Sequence, residues 1–487
     1  MNRKKFLSIS LIILVMVTLF FIIKNIVPRN KYLSEIVAQF DNILYHYDSF
    51  DDELPIENLR KINSHDENMT FIAKEEALED IEYLFSLLKF GYAGYEYFGG
   101  DEEFLPAKKN MIWSVVETYG NHVDVNRLLD IIYSELKFIQ DSHFDIGHYR
   151  LCNYTKYFSS RRFNFNKDED GFYTLIDNEL YYLIDIDGNL PNCYMKQSLD
   201  DYGNMIYNLG TLSETTDVSI PLNLLLKSET GFRSEKVSLF EYIPIYKDKP
   251  IGYRYYQTYG IPVLEVTSLS RITPEDKSIE KFIEDSKDLG KKENIILDLR
   301  SNQGGSMINV EEWYKGFTGT TLKKDIIQSG LYTNTSISLS KSKFEAKENE
   351  TEEVKSRCLK AISGYEDEKY FPGWSPIKYE DFKPIDNKVN IYILVDKNTS
   401  SAAEFFVYYL RKLNNVTIIG TNTNGCMLTG NCNTAYLPNS NIQLHISHKI
   451  YLNKEMANID GFGLLPDLWI KPEQALSKVV KYIRKNK

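Results

Sequence analysis

The stretch Ile391-Tyr-Ile-Leu-Val-Asp-Lys-Asn-Thr-Ser-Ser-Ala-Ala-Glu404 passes from an unbroken apolar run, through short polar residues, into a helical pattern. Ile391 to Val395 reads as a buried strand. Ala402 to Leu413 reads as a helix with Phe405, Phe406, Tyr409, Leu410 and Leu413 on one side. A strand, a tight turn and a helix set a serine hydroxyl at the positive end of a helix, beside backbone N–H groups that have no intrahelical partner. Such a setting favours a developing oxyanion. Asn398, Thr399, Ser400 and Ser401 also serve as ordinary helix caps, so the turn alone leaves both readings open.

Outward from this turn, the chain of 487 residues has room for about three domains at ~150 residues each. With 43% hydrophobic and 26% charged residues it is globular rather than disordered. A net charge of −11 argues against a nucleic-acid partner, since that binding is dominated by basic contacts to phosphate. Phe6 to Ile23 are uncharged and mostly apolar, with Arg3, Lys4 and Lys5 before them and Lys24 after. That length is marginal but sufficient for a membrane span. The first alanine is Ala38 and the first cysteine Cys152, which gives neither a small-residue cleavage site nor an early lipid attachment point. The expectation is an uncleaved single-pass anchor in the cell membrane, with a cytoplasmic N-terminus and the rest of the chain extracytoplasmic. The five cysteines do not form a disulfide scaffold, and Cys426 and Cys432 are read either as a bridge or as free thiols. His445 and His448 fall on opposite faces of an expected strand, no zinc spacing occurs, and no cofactor is expected.

Composition divides the chain into an anchor at 1–28, a polar stalk at 29–69, a helical region at 70–150, a small mostly β module at 151–250 and a core at 251–487. In the helical region Leu78, Ile81, Leu84, Phe85 and Leu88 form one stripe. Val125, Leu128, Leu129, Ile132, Leu136 and Ile139 form a second, behind an Asp124 cap, and it runs directly into Asp141-Ser142-His143. In the core, Pro262–Val266, Ile295–Leu299, Ile391–Val395 and Thr417–Gly420 are apolar strands alternating with helical segments, an α/β pattern. The Lys-, Glu- and Ser-rich stretch Ser340–Arg357 reads as a solvated surface excursion, with a lid as the alternative.

Three elements join the Ser401 turn. Ile295-Ile-Leu-Asp-Leu-Arg-Ser-Asn-Gln-Gly304-Gly305 is a strand entering a loop whose glycines permit close backbone approach and could donate N–H groups to an oxyanion. Asp141-Ser142-His143 presents an imidazole in a polar loop, with neighbours able to orient it as a general base. Asn458-Ile-Asp460-Gly461-Phe462-Gly463-Leu464-Leu465-Pro466-Asp467 offers an acid, Asp460, beside a constrained turn.

Together, LDLRSNQGG, TSSAAE, the T-x-G element at Thr423–Gly425 and GLLPD resemble the carboxyl-terminal-processing and tricorn-core family of serine peptidases, over residues 251–470 and more weakly over 74–140. The resemblance implies a mixed-sheet α/β peptidase core of crotonase-like ββα units, a peptide or protein substrate, and a peptide-binding, PDZ-like role for 151–250. It implies Ser401 as nucleophile, with an oxyanion hole from the N–H of Ala402 and that of Gly304 or Gly305. Glu404 would serve structure. The branch with a lysine base carries that lysine after the T-x-G element, where this chain has Cys426. The tricorn-like branch uses a serine-histidine pair and a distant acid, which Ser142, His143 and Asp460 match, with aspartate where glutamate is more typical. Two further readings stand beside this one: an inactive peptide-binding or scaffold protein of the same fold, and a hydrolase of non-peptide esters or amides. Oligomeric state is not legible.

Overall fold

The computed structural model describes residues 32–55, 59, 69–118, 120–243, 252–345, 351–364, 373–383 and 385–486. Its core is a six-stranded mixed sheet whose strands lie side by side in chain order: Tyr253–Thr258, Ile261–Val266, Asn294–Asp298, Asn390–Val395, Val416–Gly420 and Leu468–Trp469. The first two strands pair antiparallel and every later neighbour pairs parallel. The inner strands Ile261–Val266, Asn294–Asp298 and Asn390–Val395 are mostly apolar because helices cover both faces. Ile295, Leu297, Ile391 and Ile393 pack with helices Ser278–Leu289, Met307–Thr318 and Ala402–Leu410. Val263, Ile296, Leu394 and Ile419 pack against helix Pro472–Lys485 on the other side. Parallel strands end at one edge of a sheet. The loops after Asp298, Val395 and Gly420 therefore emerge side by side, and these carry Gly304-Gly305, Ser401 and Thr423–Gly425.

A second sheet brings in the N-terminal region. Strand Gln443–Leu452 pairs with Ile327–Gly330, with Thr429–Tyr436 and, through Leu444 opposite Ile146, with the short strand Asp145–Ile146. Helices Lys74–Gly91, Gly100–Thr118 and Val125–Glu135 share one apolar core with Ala435, Leu444 and Ile446 of that sheet. Asp124 caps the third helix by accepting the N–H groups of Asn126 and Arg127. His143 thus sits two residues ahead of a strand that is stitched into the core.

Several expectations need correction. The 29–69 stretch is no free stalk where it is described: a helix over 32–41 buries Ile36 and Phe40, and Leu44 and Tyr47 follow them, against Phe90, Ile327, Leu331 and Ile450. Helix Gly100–Thr118, which holds Pro106 in its interior, was not anticipated. The 151–250 stretch forms a seven-stranded antiparallel sheet that turns back on itself, Phe240 pairing with Ser159. Among its described residues there is no α-helix to build a PDZ-like groove. The segment 340–357 is not a surface excursion at its start. Helix Asn334–Glu345 buries Ser336, Ser338, Ser340 and Ser342, with the Ser340 hydroxyl donating to Asn433 Oδ1 at 3.2 Å. The expected single-pass membrane localisation is also corrected: among the described residues no helix is long and apolar enough to cross a membrane. Residues 6–23, on which it rested, lie outside the described residues, as do 346–350 of the 340–357 segment.

Candidate active site

The turn after Val395 is built by its own polar side chains. Asp396 Oδ1 accepts the N–H groups of Asn398 and Ser301, at 3.0 and 2.9 Å. Thr399 Oγ1 donates to Leu299 O at 3.0 Å, and Ser400 N–H donates to Asn302 O at 3.0 Å. Asn398, Thr399 and Ser400 therefore fasten the turn, and Ser401 is left for something else. Its φ of 55° and ψ of −124° hold a non-glycine residue in a sparsely populated region, at a cost on the order of 1–3 kcal/mol. Its Oγ lies 3.2 Å from His143 Nε2.

The buried Glu404 holds this turn from inside. Its Oε2 accepts the N–H of Ser401 and of Cys426, at 2.9 and 2.8 Å. Its Oε1 accepts Thr423 Oγ1 at 2.5 Å and Gly425 N–H at 2.8 Å. The T-x-G element is thereby tied to the serine turn. Burial raises the Glu404 pKa, and these donors oppose the rise.

His143 is fixed through its backbone. Its N–H donates to Asp141 Oδ1 at 2.8 Å, and Asp141 also accepts the hydroxyls of Tyr92 and Thr429 at 2.7 and 2.8 Å. Burial, with the Asp141 charge opposing it, holds the imidazole pKa below its ordinary 6.5. The expected contact of Asp460 and Ser142 with the ring is not made. Asp460 accepts three backbone N–H groups, from Ser142 at 2.9 Å, Met427 at 2.8 Å and Leu428 at 2.9 Å. Ser142 Oγ donates to Gly425 O at 2.5 Å. Asp460 and Ser142 make these bonds with backbone groups rather than with the ring, so both residues order the loops on which His143 and Cys426 sit. The atom facing His143 Nδ1 is instead Cys426 Sγ, at 3.3 Å. Cys426 and Cys432 are both free, and the Cys432 thiol lies 3.3 Å from Ser447 Oγ.

Two amides are available beside the Ser401 hydroxyl. Ala402 N–H opens the helix and has no acceptor among the described residues. A methyl group on Gly304 would lie 2.9 Å from that nitrogen and 2.8 Å from Ser400 O. Only glycine, here at φ 94°, permits this approach. Of the two glycine amides, that of Gly304 is already spent on Asn302 Oδ1 at 2.9 Å. Gly305 N–H has no acceptor among the described residues. Of the two glycines offered for an oxyanion hole, Gly305 is the one whose amide is free among the described residues.

Lys397 was not anticipated. Its Nζ donates to the carbonyls of Thr423, Asn424 and Gly461 at 3.2, 3.1 and 2.8 Å, joining two of the loops. Burial, opposed by the Glu404 charge, brings its pKa down to about 8. Nothing in the residue order signals this contact. Asp141 could have been found, since an acid two residues before a loop histidine can accept that histidine's amide. Ser401, Ala402 and Gly305 face a cavity of about 1020 Å³, whose far wall includes Lys343 and Phe344 of helix Asn334–Glu345 and Arg357 and Cys358 of helix Glu352–Ser363. This is near the top of the range usual for ligand sites.

A serine on a strained strand-to-helix turn, an imidazole within hydrogen-bond reach and two amides without acceptors among the described residues are an arrangement suited to serine hydrolase chemistry. Residues 260–470 match the family model described as Peptidase family S41. The chain carries an S41 peptidase domain and is a serine-type peptidase. Among solved structures it is similar to mature CPAF, at 15% identity over 85% of this chain and 95% of that one, with a TM-score of 0.44. It is also similar to the photosystem II D1 C-terminal processing protease, at 12% over 82% and 94%, with a TM-score of 0.36. For the tricorn protease the figures are 13% over 85% of this chain and 35% of that one, with a TM-score of 0.33.

Proposed function

We propose that this peptidase cleaves peptide bonds through an acyl-enzyme at Ser401, with His143 as general base. The observation that carries the reading is the 3.2 Å approach of His143 Nε2 to a serine hydroxyl held at positive φ beside the amides of Ala402 and Gly305. With the ring proton on Nδ1, the Nε2 lone pair takes the Ser401 proton as Oγ bonds to the substrate carbonyl carbon. The carbonyl oxygen becomes an oxyanion that accepts from the two amides. Imidazolium Nε2–H then protonates the leaving amine as the C–N bond breaks. Water, deprotonated by the same nitrogen, releases the acid and restores Ser401. Ser142, Asp460 and Glu404 act as positioning residues for the loops that carry these groups.

The thiol at Nδ1, where a carboxylate would stabilise the imidazolium, favours the second reading, an inactive peptide-binding member of the fold. The test is fluorophosphonate labelling of the full chain, compared with Ser401→Ala and His143→Ala. Loss of the nucleophile costs on the order of 10⁶ in rate. Labelling of the wild type that vanishes in both variants is the expected result. A folded wild type that neither labels nor hydrolyses a peptide library would replace this reading with the binding protein.

A further inference from the structure

The cavity that contains Ser401 also contains a cation, Lys449, that has no partner among the described residues. Strand Gln443–Leu452 turns Leu444, Ile446, Ile450 and Leu452 into the apolar cores. Alternation therefore turns Lys449 and Tyr451 to the opposite face, where both line the cavity. The residues opposite Lys449 on its two neighbouring strands are glycines, Gly330 on one side and Gly430 on the other. No side chain flanks the lysine across either ladder, which leaves its ammonium open to the cavity.

Of the other cations near it, Lys324 donates to Glu311 at 2.8 Å and Arg271 pairs with Glu280. Lys449 is half-buried and, among the described residues, has neither a carboxylate within ion-pair distance nor a hydrogen-bond acceptor. Its surroundings disfavour its charge. Burial first, then repulsion from Lys378 and Lys324, against attraction from Glu311, brings its pKa down to about 8. A half-desolvated ammonium without a counter-ion is costly in the free protein, and an arriving anion relieves that cost.

We propose that Lys449 is the specificity determinant of this site and receives a substrate carboxylate, either an acidic side chain or a free C-terminus. The proposal rests on the peptidase reading for the cleavage that follows binding, but the binding itself is separable. The cavity spans Ser401 and Lys449 together, so a peptide whose carbonyl lies on Ala402 and Gly305 can extend its carboxylate towards the lysine.

The binding arm uses the full chain carrying Ser401→Ala and four fluorescent peptide pools: acidic with a free C-terminus, acidic and amidated, neutral with a free C-terminus, and neutral and amidated. A charge-assisted contact is worth a factor of about 10 to 100. The expected result is at least about tenfold tighter binding of one carboxylate-bearing class over the neutral amidated pool at pH 7. Comparing the two middle pools identifies which carboxylate it is. Lys449→Met should erase the preference, Lys449→Arg should keep it and Lys449→Glu should turn it towards basic peptides. In the chain with Ser401 intact, Lys449→Met should raise KM for the preferred class with little change in kcat or in fluorophosphonate labelling. Equal binding of all four pools, or a preference that survives Lys449→Met in a folded variant, overturns the proposal. Failure of the peptidase reading shows separately, as absent labelling and hydrolysis by the intact chain, and leaves the binding arm decisive.

Discussion

A general base at Ser401 needs a neutral ring with its lone pair on Nε2, and the partner at Nδ1 decides how firmly that tautomer is held. In His143 the partner is the Cys426 thiol. Burial and the charges of Asp460 and Glu404 push the thiol pKa well up, so it stays protonated. A neutral thiol donates and accepts weakly, and it does not stabilise imidazolium as a carboxylate would. Burial, opposed by the Asp141 charge, holds the imidazole pKa below 6.5, so the ring is neutral at pH 7. The acid limb of kcat/KM should therefore fall below pH 6.5, because the base is lost only as pH drops through that lowered value. Cys426→Ser keeps a donor and acceptor at Nδ1 and should leave kcat/KM within a few-fold of wild type. Cys426→Val removes both and should lower it about tenfold, the worth of roughly one hydrogen bond. Near-total loss in Cys426→Ser would mean that the thiol itself takes part in the chemistry.

Strand, turn and helix at 390–410 form one element only because Glu404 ties the serine turn to the T-x-G loop. In Glu404→Gln the best orientation turns the amide NH₂ towards Thr423 and Gly425. The Thr423 hydroxyl can reverse its role, but Gly425 N–H is left facing another donor. One buried donor left without a partner costs about 1–3 kcal/mol. The expected outcome is a lower denaturant midpoint with an unchanged m-value, together with slower fluorophosphonate labelling, since Ser401 and Cys426 hang from the same carboxylate. An unaltered midpoint would show that Glu404 is not the tie. At this scale the sequence was most legible: both faces of the core strands are covered, so Ile391–Val395 and Ile295–Leu299 had to read as apolar runs. What escaped was whatever periodicity does not encode. The helix at Gly100–Thr118 went unread, the buried Ser340 and Ser342 stood in a stretch, 340–357, that looked solvated, and the roles of Asp460 and Lys397 depend on carbonyls and amides that no side-chain pattern announces.

The whole molecule meets at the seam between the N-terminal helices and the core, and that meeting was hardest to read because its contacts cross hundreds of residues. Asp460 accepts the Ser142 amide across a separation of 318 positions, and Thr429 reaches Asp141 across 288. Strand Asp145–Ile146 is only two residues long, too short to signal its pairing with Gln443–Leu452. Yet it begins two residues after His143, and strand Thr429–Tyr436 begins three residues after Cys426. One sheet therefore positions both the imidazole and the group at its Nδ1. Phe144, the residue after His143, is fully buried and edge-on to Tyr92 with ring centroids 4.9 Å apart, and it anchors this arrangement. Phe144→Ala should cost about 3–5 kcal/mol in stability, as the loss of a buried aromatic usually does. It should also slow labelling of Ser401 at temperatures where the variant is still folded by circular dichroism, because His143 loses its anchor before the core sheet melts. If labelling of the folded variant matches wild type, the seam is only a packing interface, and the Asp141 and Asp460 contacts alone hold the base against the serine.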